Sequence, residues 1–264
     1  MEFLVATTLV FVGGVAVPSG DTTPVLLRAH PPRGTLVRCL VRSEQVFGGR
    51  VIEGPRALGS LGFYTLAVTA DSADTVTLAI TIDSTFLLED KRLVPMGRTG
   101  RPTAFVVATD TRRLRIMGDS TSRLAARTLF DPQPLLPERS VRRGESWETP
   151  LEFDIPTSGP LNGALHGKVK TKLQEIRVAD GDTTVVLTFS ISGEGDVQVP
   201  AAGMVQRQTY FASFHGKETL SLTRGVSVEL TMDGTYTMRA HISGGLRSDL
   251  ENQIHVERRL LVNP

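Results

Sequence analysis

Residues Asp131–Pro150 read DPQPLLPERSVRRGESWETP, and this stretch decides how the chain divides. Pro132, Pro134 and Pro137 stand near its start, Pro150 closes it, and Trp147, the only tryptophan, lies just before the close. Proline fixes φ and has no N–H to donate, so neither a helix nor a central strand runs through the stretch. It therefore acts as a connection, and the blocks on its two sides resemble each other.

Both blocks carry strand patterns. Thr35–Phe47 alternates, with Leu36, Arg38, Leu40 and Arg42 against Val37, Cys39 and Val41. GFYTLAVTA and TVTLAITID are rich in Thr, Val and Ile and flank Asp71-Ser72-Ala73-Asp74, which predicts a hairpin. Gly48–Gly62 and Gly97–Pro102 read as glycine-rich connections, and Thr103–Ala108 with Arg113–Met117 as a second hairpin. One helix is expected, SRLAARTLF, capped by Asp119 or Ser120 and stopped by Asp131-Pro132. Strands resume at Ser146–Asp154 and continue through Lys168–Val178, Thr183–Ser192, Val205–Phe214, Glu218–Thr223, Val226–His241 and Gln253–Val262. Turns are expected at Asp180-Gly181-Asp182, His215-Gly216-Lys217 and Asp233-Gly234.

An internal repeat runs through these elements. VTADSADTVTLAITID (Val68–Asp83) matches RVADGDTTVVLTFSIS (Arg177–Ser192), and RPTAFVVATDTRRLRI (Arg101–Ile116) matches RQTYFASFHGKETLSL (Arg207–Leu222), in the same order. The expected fold is mainly β. It has two related antiparallel β-sheet units, half-barrel or sandwich-like, with one short helix between them. The division is 1–20 as an apolar signal or anchor, 33–130 as the first unit with its terminal helix, 131–150 as the connection, and 151–264 as the second unit.

Phe3–Val17 carries no charge and is followed by Pro18-Ser19-Gly20. It is short for a membrane-spanning helix and suits the apolar core of a secretory signal, although Glu2 stands where such signals carry Lys or Arg. Arg28, Arg33, Arg38 and Arg42 follow it, which by the positive-inside rule would keep the body in the cytoplasm. The composition of the body favours a periplasmic, membrane-associated location.

The 264 residues have a formal net charge of +1, so no global field recruits nucleic acid. One cysteine, Cys39, excludes an intrachain disulfide. The five histidines, His30, His166, His215, His241 and His255, are never two to four residues apart, so local zinc pairs are absent. There is no G-x-S-x-G elbow. Gly163–Val169 has the wrong spacing for a phosphate loop, and Gly193-Glu194-Gly195 is an incomplete dinucleotide fingerprint. Glu148, Glu152 and Asp154 would share one strand face near Trp147; paired carboxylates cut glycosides, but a solvated face is the plainer reading. No catalytic residue, metal site or cofactor is expected. A basic run, Lys91, Arg92, Arg98, Arg101, Arg112, Arg113 and Arg115, suits an anionic membrane surface or an acidic protein face. The candidate partner contacts are Arg98, Arg101, Arg112, Arg113, Arg115 and Trp147.

Within the connection, PLLPERSVRRGESWETP carries V-x-x-G-x-x-W at Val141, Gly144 and Trp147. It resembles exported bacterial β-rich proteins of unknown function, and the architecture is more distantly similar to the lipoprotein-carrier fold. The resemblance implies an export signal and two strand-rich halves, and brings no catalytic residues. The function expected is that of a non-enzymatic, membrane-extrinsic accessory subunit on an integral membrane complex, a photosynthetic reaction-centre and light-harvesting assembly being one instance. The alternative is a carrier or sensor of a lipid or other apolar ligand.

Overall fold

The structure, a computed structural model, describes residues 23–49, 56–89, 92–97, 102–109, 111–112, 114–117, 134–155, 163–201, 204–241 and 247–261. It is mainly β. The strands are β1 (Leu36–Gly49), β2 (Arg56–Asp71), β3 (Thr75–Glu89), β4 (Arg92–Gly97), β5 (Pro102–Thr109), β6 (Leu114–Met117), β7 (Ser146–Ile155), β8 (Gly163–Ala179), β9 (Asp182–Ala201), β10 (Met204–Ser221), β11 (Val226–His241) and β12 (Arg247–Leu261). They form one antiparallel sheet in the order β6-β5-β3-β2-β1-β12-β11-β10-β9-β8-β7, with β4 also pairing β3. The expected division into two sheets gives way to one continuous ladder, because the long β12 pairs β1 on one side and β11 on the other. The expected helix lies outside the described residues.

The same local arrangement nevertheless occurs twice. Before β1 the chain turns at Gly34 (φ 85), with Thr35 N–H donating to Pro32 at 3.1 Å; before β7 it turns at Gly144 (φ 85), with Glu145 N–H donating to Arg142 at 3.0 Å. The first turn exchanges hydrogen bonds with Val68 of β2 and the second with Leu173 of β8. A bulge follows each contact, at Val68/Ala70 and at Leu173/Glu175. The αL geometry explains the glycine of V-x-x-G, since a Cβ is strained at that φ. Val76 lies opposite Ala108 and Val185 opposite Leu220, so hairpin β5–β6 occupies the place of β10–β11. The second sequence match, which set Arg101–Ile116 on Arg207–Leu222, is out of step with this pairing.

Two expected turns are strand interior. His215-Gly216-Lys217 runs within β10 and Asp233-Gly234 within β11. Their glycines are packing positions: a Cβ on Gly216 would lie 2.4 Å from the Phe189 ring, and one on Gly234 would lie 2.3 Å from the Phe214 ring. Aromatic rings laid over in-strand glycines let a sheet bend sharply without a void. Asp180 (φ 52) and Gly181 (φ 76) do form a tight turn, with both central φ positive as a two-residue hairpin requires. The connection expected at Gly48–Gly62 is shorter, because β2 begins at Arg56.

The sheet is strongly curled. From β5 to β10 there are six strand-to-strand steps, about 29 Å if flat at ~4.8 Å each. Yet Arg112, in the β5–β6 turn, reaches Glu218 of β10 at 2.6 Å. Alternate residues make the inner face, with Leu165, Val169 and Leu173 of β8, Leu187, Phe189 and Ile191 of β9, and Leu230 and Met232 of β11 all buried. Residues 134–145 of the proline-rich stretch form a seam between the β5–β6 turn and β7. Leu136 N–H donates to Thr111 at 3.1 Å, and the Trp147 indole donates to the Leu135 carbonyl at 3.0 Å. Val141 pairs with Val25, and Arg28 donates to the Pro137 carbonyl at 3.2 Å, so the segment before β1 is laid across the same end. Leu27, Leu136, Val141, Trp147, Leu173, Val185, Leu187 and Leu220 form one buried cluster there.

Candidate functional site

Three places in the described structure could meet a partner or ligand. The first is at the end of the sheet away from the seam. Hairpin β3–β4 and the start of β2 form an arm whose side chains are apolar on both faces. In register, Leu61, Phe86 and Pro95 make one row and Gly59, Leu88 and Leu93 the next, while Leu87 and Val94 oppose each other on the other face. Every residue of β4 is exposed, including Leu93 at 52%, Val94 at 43% and Met96 at 65%. Val46 and Leu58, at the same end of β1 and β2, are exposed as well. Leu88 packs over Gly59, and the Phe63 and Phe86 rings meet edge to face at 6.4 Å. Single exposed apolar residues are ordinary, as at Leu36 and Val178, but a contiguous two-faced set is not. Pro95 sits in this edge strand, where its missing N–H blunts the addition of another strand.

The second place is a cavity of about 90 Å³ at the seam end, lined mainly by apolar side chains from β1, β2, β3 and β5 and reached by Arg112 and Arg258. Arg112 grips Glu218 with both terminal nitrogens, at 2.6 and 3.0 Å. Arg258 of β12 approaches Glu218 at 3.5 Å and donates to the Ser227 hydroxyl at 2.7 Å. All three charged side chains are buried, Glu218 completely. Burial alone would push the Glu218 carboxyl up; the charge and hydrogen bonds of Arg112, with Arg258, override it and hold the group below the usual carboxylate range. Burial pushes the Cys39 thiol, which also lines the cavity, upward, as suits an inert buried cysteine. Arg112 has φ 69, an uncommon conformation for a branchless but bulky residue in a hairpin turn.

The third place is an open groove on the outer face between His166, Lys168, Glu194 and Phe211, with the Arg239 guanidinium 5.1 Å from the Phe211 ring centre. Around it the outward side chains are polar: Lys170, Lys172, Ser190, Ser192, Arg207, Ser213, Lys217, Glu251, Gln253 and Arg259 are exposed. A membrane-spanning barrel has the reverse pattern, an apolar outside around a polar lumen. Among the described residues no helix is long and apolar enough to cross a membrane, and no group of three or more His, Cys, Asp or Glu is arranged to hold a metal.

Of the six sequence-expected contacts, Arg112, Arg115 and Trp147 are among the described residues. Trp147 is buried in the seam cluster and Arg112 is turned inward to Glu218, so neither offers a surface contact. Arg115 is exposed on β6; Arg98, Arg101 and Arg113 lie outside the described residues. Glu148 is exposed and 3.5 Å from Lys168, an ordinary surface pair; the side chains of Glu152 and Asp154 are outside the description. The apolar arm was missed, although LLEDKRLVPM held the signal: apolar residues on both sides of a charged turn, with a proline that marks an edge.

No family model matches the chain, and no curated protein matches it. Among solved structures it is similar to OmpF of Salmonella typhi in complex with daunomycin, at 6% identity and a TM-score of 0.30, over 85% of this chain and 98% of that one. OpdQ and OpdL of Pseudomonas aeruginosa each share 9% identity at a TM-score of 0.21, over 86% of this chain and 97% and 98% of theirs. Likeness at this level assigns neither a fold nor a function.

Proposed function

We propose that this chain is a non-enzymatic docking subunit, extrinsic to the membrane, that attaches to a larger integral membrane assembly through the β2–β3–β4 arm. The single observation that carries this reading is the arm itself: apolar on both faces, exposed along all of β4, and set at the far end from the capped seam. A side chain such as Leu or Met contributes about 1.5–3 kcal/mol when fully buried, so three half-exposed ones hold a reserve of binding energy that the isolated chain leaves unused. Pro95 turns the edge away from strand addition, which favours side-chain docking into an apolar groove of a partner. The uncharged run Phe3–Val17 adds a reason to look for that partner at a membrane. An exported, periplasmic location fits the same reading.

The test is affinity capture from detergent-solubilised native membranes with the full chain and with a Leu93→Asp, Met96→Asp variant. The reading expects the parent to bring down an integral membrane assembly and the variant, equally folded, to lose it. Equal capture by both would rule the arm out. The lipid-carrier alternative calls for a pocket of roughly 300–1,000 Å³, and the cavity at the seam end is about 90 Å³.

A further inference from the structure

The groove on the outer face has a chemistry of its own, independent of the arm. It crosses the strands from β8 to β11, three strand-to-strand steps or about 14 Å at ~4.8 Å each. Its volume is about 540 Å³, inside the roughly 300–1,000 Å³ of ligand sites. The sequence explains why a groove lies here. Gly167 stands opposite Gly193, and Gly193 opposite Ala212, so the inward positions of three adjacent strands carry nothing larger than a methyl group. A Cβ on Gly167 would lie 2.0 Å from the Ser192 carbonyl oxygen, and one on Gly193 would lie 2.3 Å from the Leu165 side chain. The sheet creases inward along this line, and the outward rows on its two sides splay apart. Each wall is one register row. Lys168, Ser192, Ser213 and Thr235 make the first, and His166, Glu194, Phe211 and Thr237 the second. The Arg239 guanidinium, 5.1 Å from the Phe211 ring centre, holds that ring in its wall. Lys168 is loosely tied to Glu148 at 3.5 Å. Ser192, Glu194 and Ser213 are exposed, and among the described residues none hydrogen-bonds their side chains.

We infer that this groove binds a neutral oligosaccharide, a short chain of sugar rings laid across β8–β11. Hydroxyls both donate and accept, and beside a carboxylate they match the hydroxyls of a sugar. The Phe211 ring gives the C–H groups of a sugar an apolar surface. One ammonium, Lys168, stands against one carboxylate, Glu194, so the groove has no surplus charge with which to select an anionic or cationic polymer. The strands β8, β9, β10 and β11 are each hydrogen-bonded on both sides, so no backbone edge is free here to take up an extended peptide. An acyl chain would leave the polar walls without partners.

The test uses the purified full chain, 15N-labelled and titrated with maltohexaose, cellohexaose and N-acetylchitohexaose. Dextran sulfate and a Gly-Ser peptide are titrated for comparison. At least one of the neutral sugars is expected to shift the amide signals of Gly167, Gly193 and Ala212 saturably, with the comparison polymers weaker. Ser213→Tyr, which sets a bulky side chain into the groove from an exposed position, should abolish the shifts. Glu194→Ala should weaken binding about tenfold, the worth of one hydrogen bond to a charged group. The amide spectrum of each variant shows whether it keeps the parent fold. The absence of a saturable shift with all three sugars overturns the proposal. So does tighter binding of dextran sulfate or the peptide, or a sugar response that leaves the groove amides unmoved or survives both folded variants unchanged.

Discussion

Glu218→Gln is expected to loosen the whole molecule. Glu218 is the tie that fastens the β5–β6 turn, through Arg112, to β10 and, through Arg258, to β12. The substitution keeps the volume and removes the charge, leaving two buried guanidiniums facing a neutral amide. Breaking a buried ion pair from one side costs about 3–5 kcal/mol. Glu218 is fully buried and gripped by two nitrogens, so the value belongs in that range rather than in the small one of surface pairs. At about 2–4 °C per kcal/mol for a chain of this size, the melting temperature should fall by roughly 6–20 °C. Denaturant unfolding at pH 7 measures the same loss directly. Acid adds a second readout. Because the native Glu218 carboxyl is held below its unfolded value, its contribution is present above about pH 4.3 and is lost as the pH falls through the lower native value. The variant should therefore show a flatter stability profile on the acid side. Arg112→Met should cost less in the variant than in the parent, with a coupling of about 0.5–3 kcal/mol. A loss below about 1 kcal/mol, with no coupling to Arg112, would refute the clasp.

Trp147, the only tryptophan, should emit at short wavelength in the native state and shift to the red on unfolding, and Trp147→Ala should cost about 3–5 kcal/mol by chemical denaturation. Gly216→Ala should destabilise by about 1–3 kcal/mol, because its Cβ would meet the Phe189 ring at 2.4 Å and the Thr231 carbonyl at 2.6 Å, whereas a true turn glycine facing open space would not be crowded. The His255 Nδ1–H donates to the Asp233 carboxylate at 2.6 Å, and that hydrogen bond, with the nearby carboxylates, holds the imidazole pKa above the usual value. NMR titration should show this, and Asp233→Asn should bring it down; the small stabilisation involved is present below about pH 6.5 and lost as the pH rises through the native value.

Much of the sheet was legible because period-two alternation survives in single strands. The hairpins at Asp71–Asp74, Thr109–Arg112 and Asp180–Asp182 carry local turn chemistry, and the structure places them there. Gly216 and Gly234 misled because a glycine beside Asp, Lys or His has the composition of a turn; the ring that covers each comes from a neighbouring strand that the local sequence does not name. Residues 134–145 lie outside the named strands, as their prolines imply, whereas Ser146–Pro150 of the same stretch belong to β7. The role of 134–145 as a seam depends on partners at Thr111 and Val25, far off in sequence. Arg112 read as one member of a basic run because nothing local distinguishes it from Arg113 or Arg115. Its partner, Glu218, is more than a hundred positions away. The apolar arm was hidden by the expectation that every strand face finds a cover within the chain.

The measurement that bears most directly on the docking account is size separation of gently solubilised native membranes, comparing the parent chain with Leu93→Asp, Met96→Asp. The account predicts that the parent travels with a large membrane assembly and that the folded variant runs alone. If the parent also runs alone, or the variant still travels with the assembly, the arm is not a docking element and the proposed function fails.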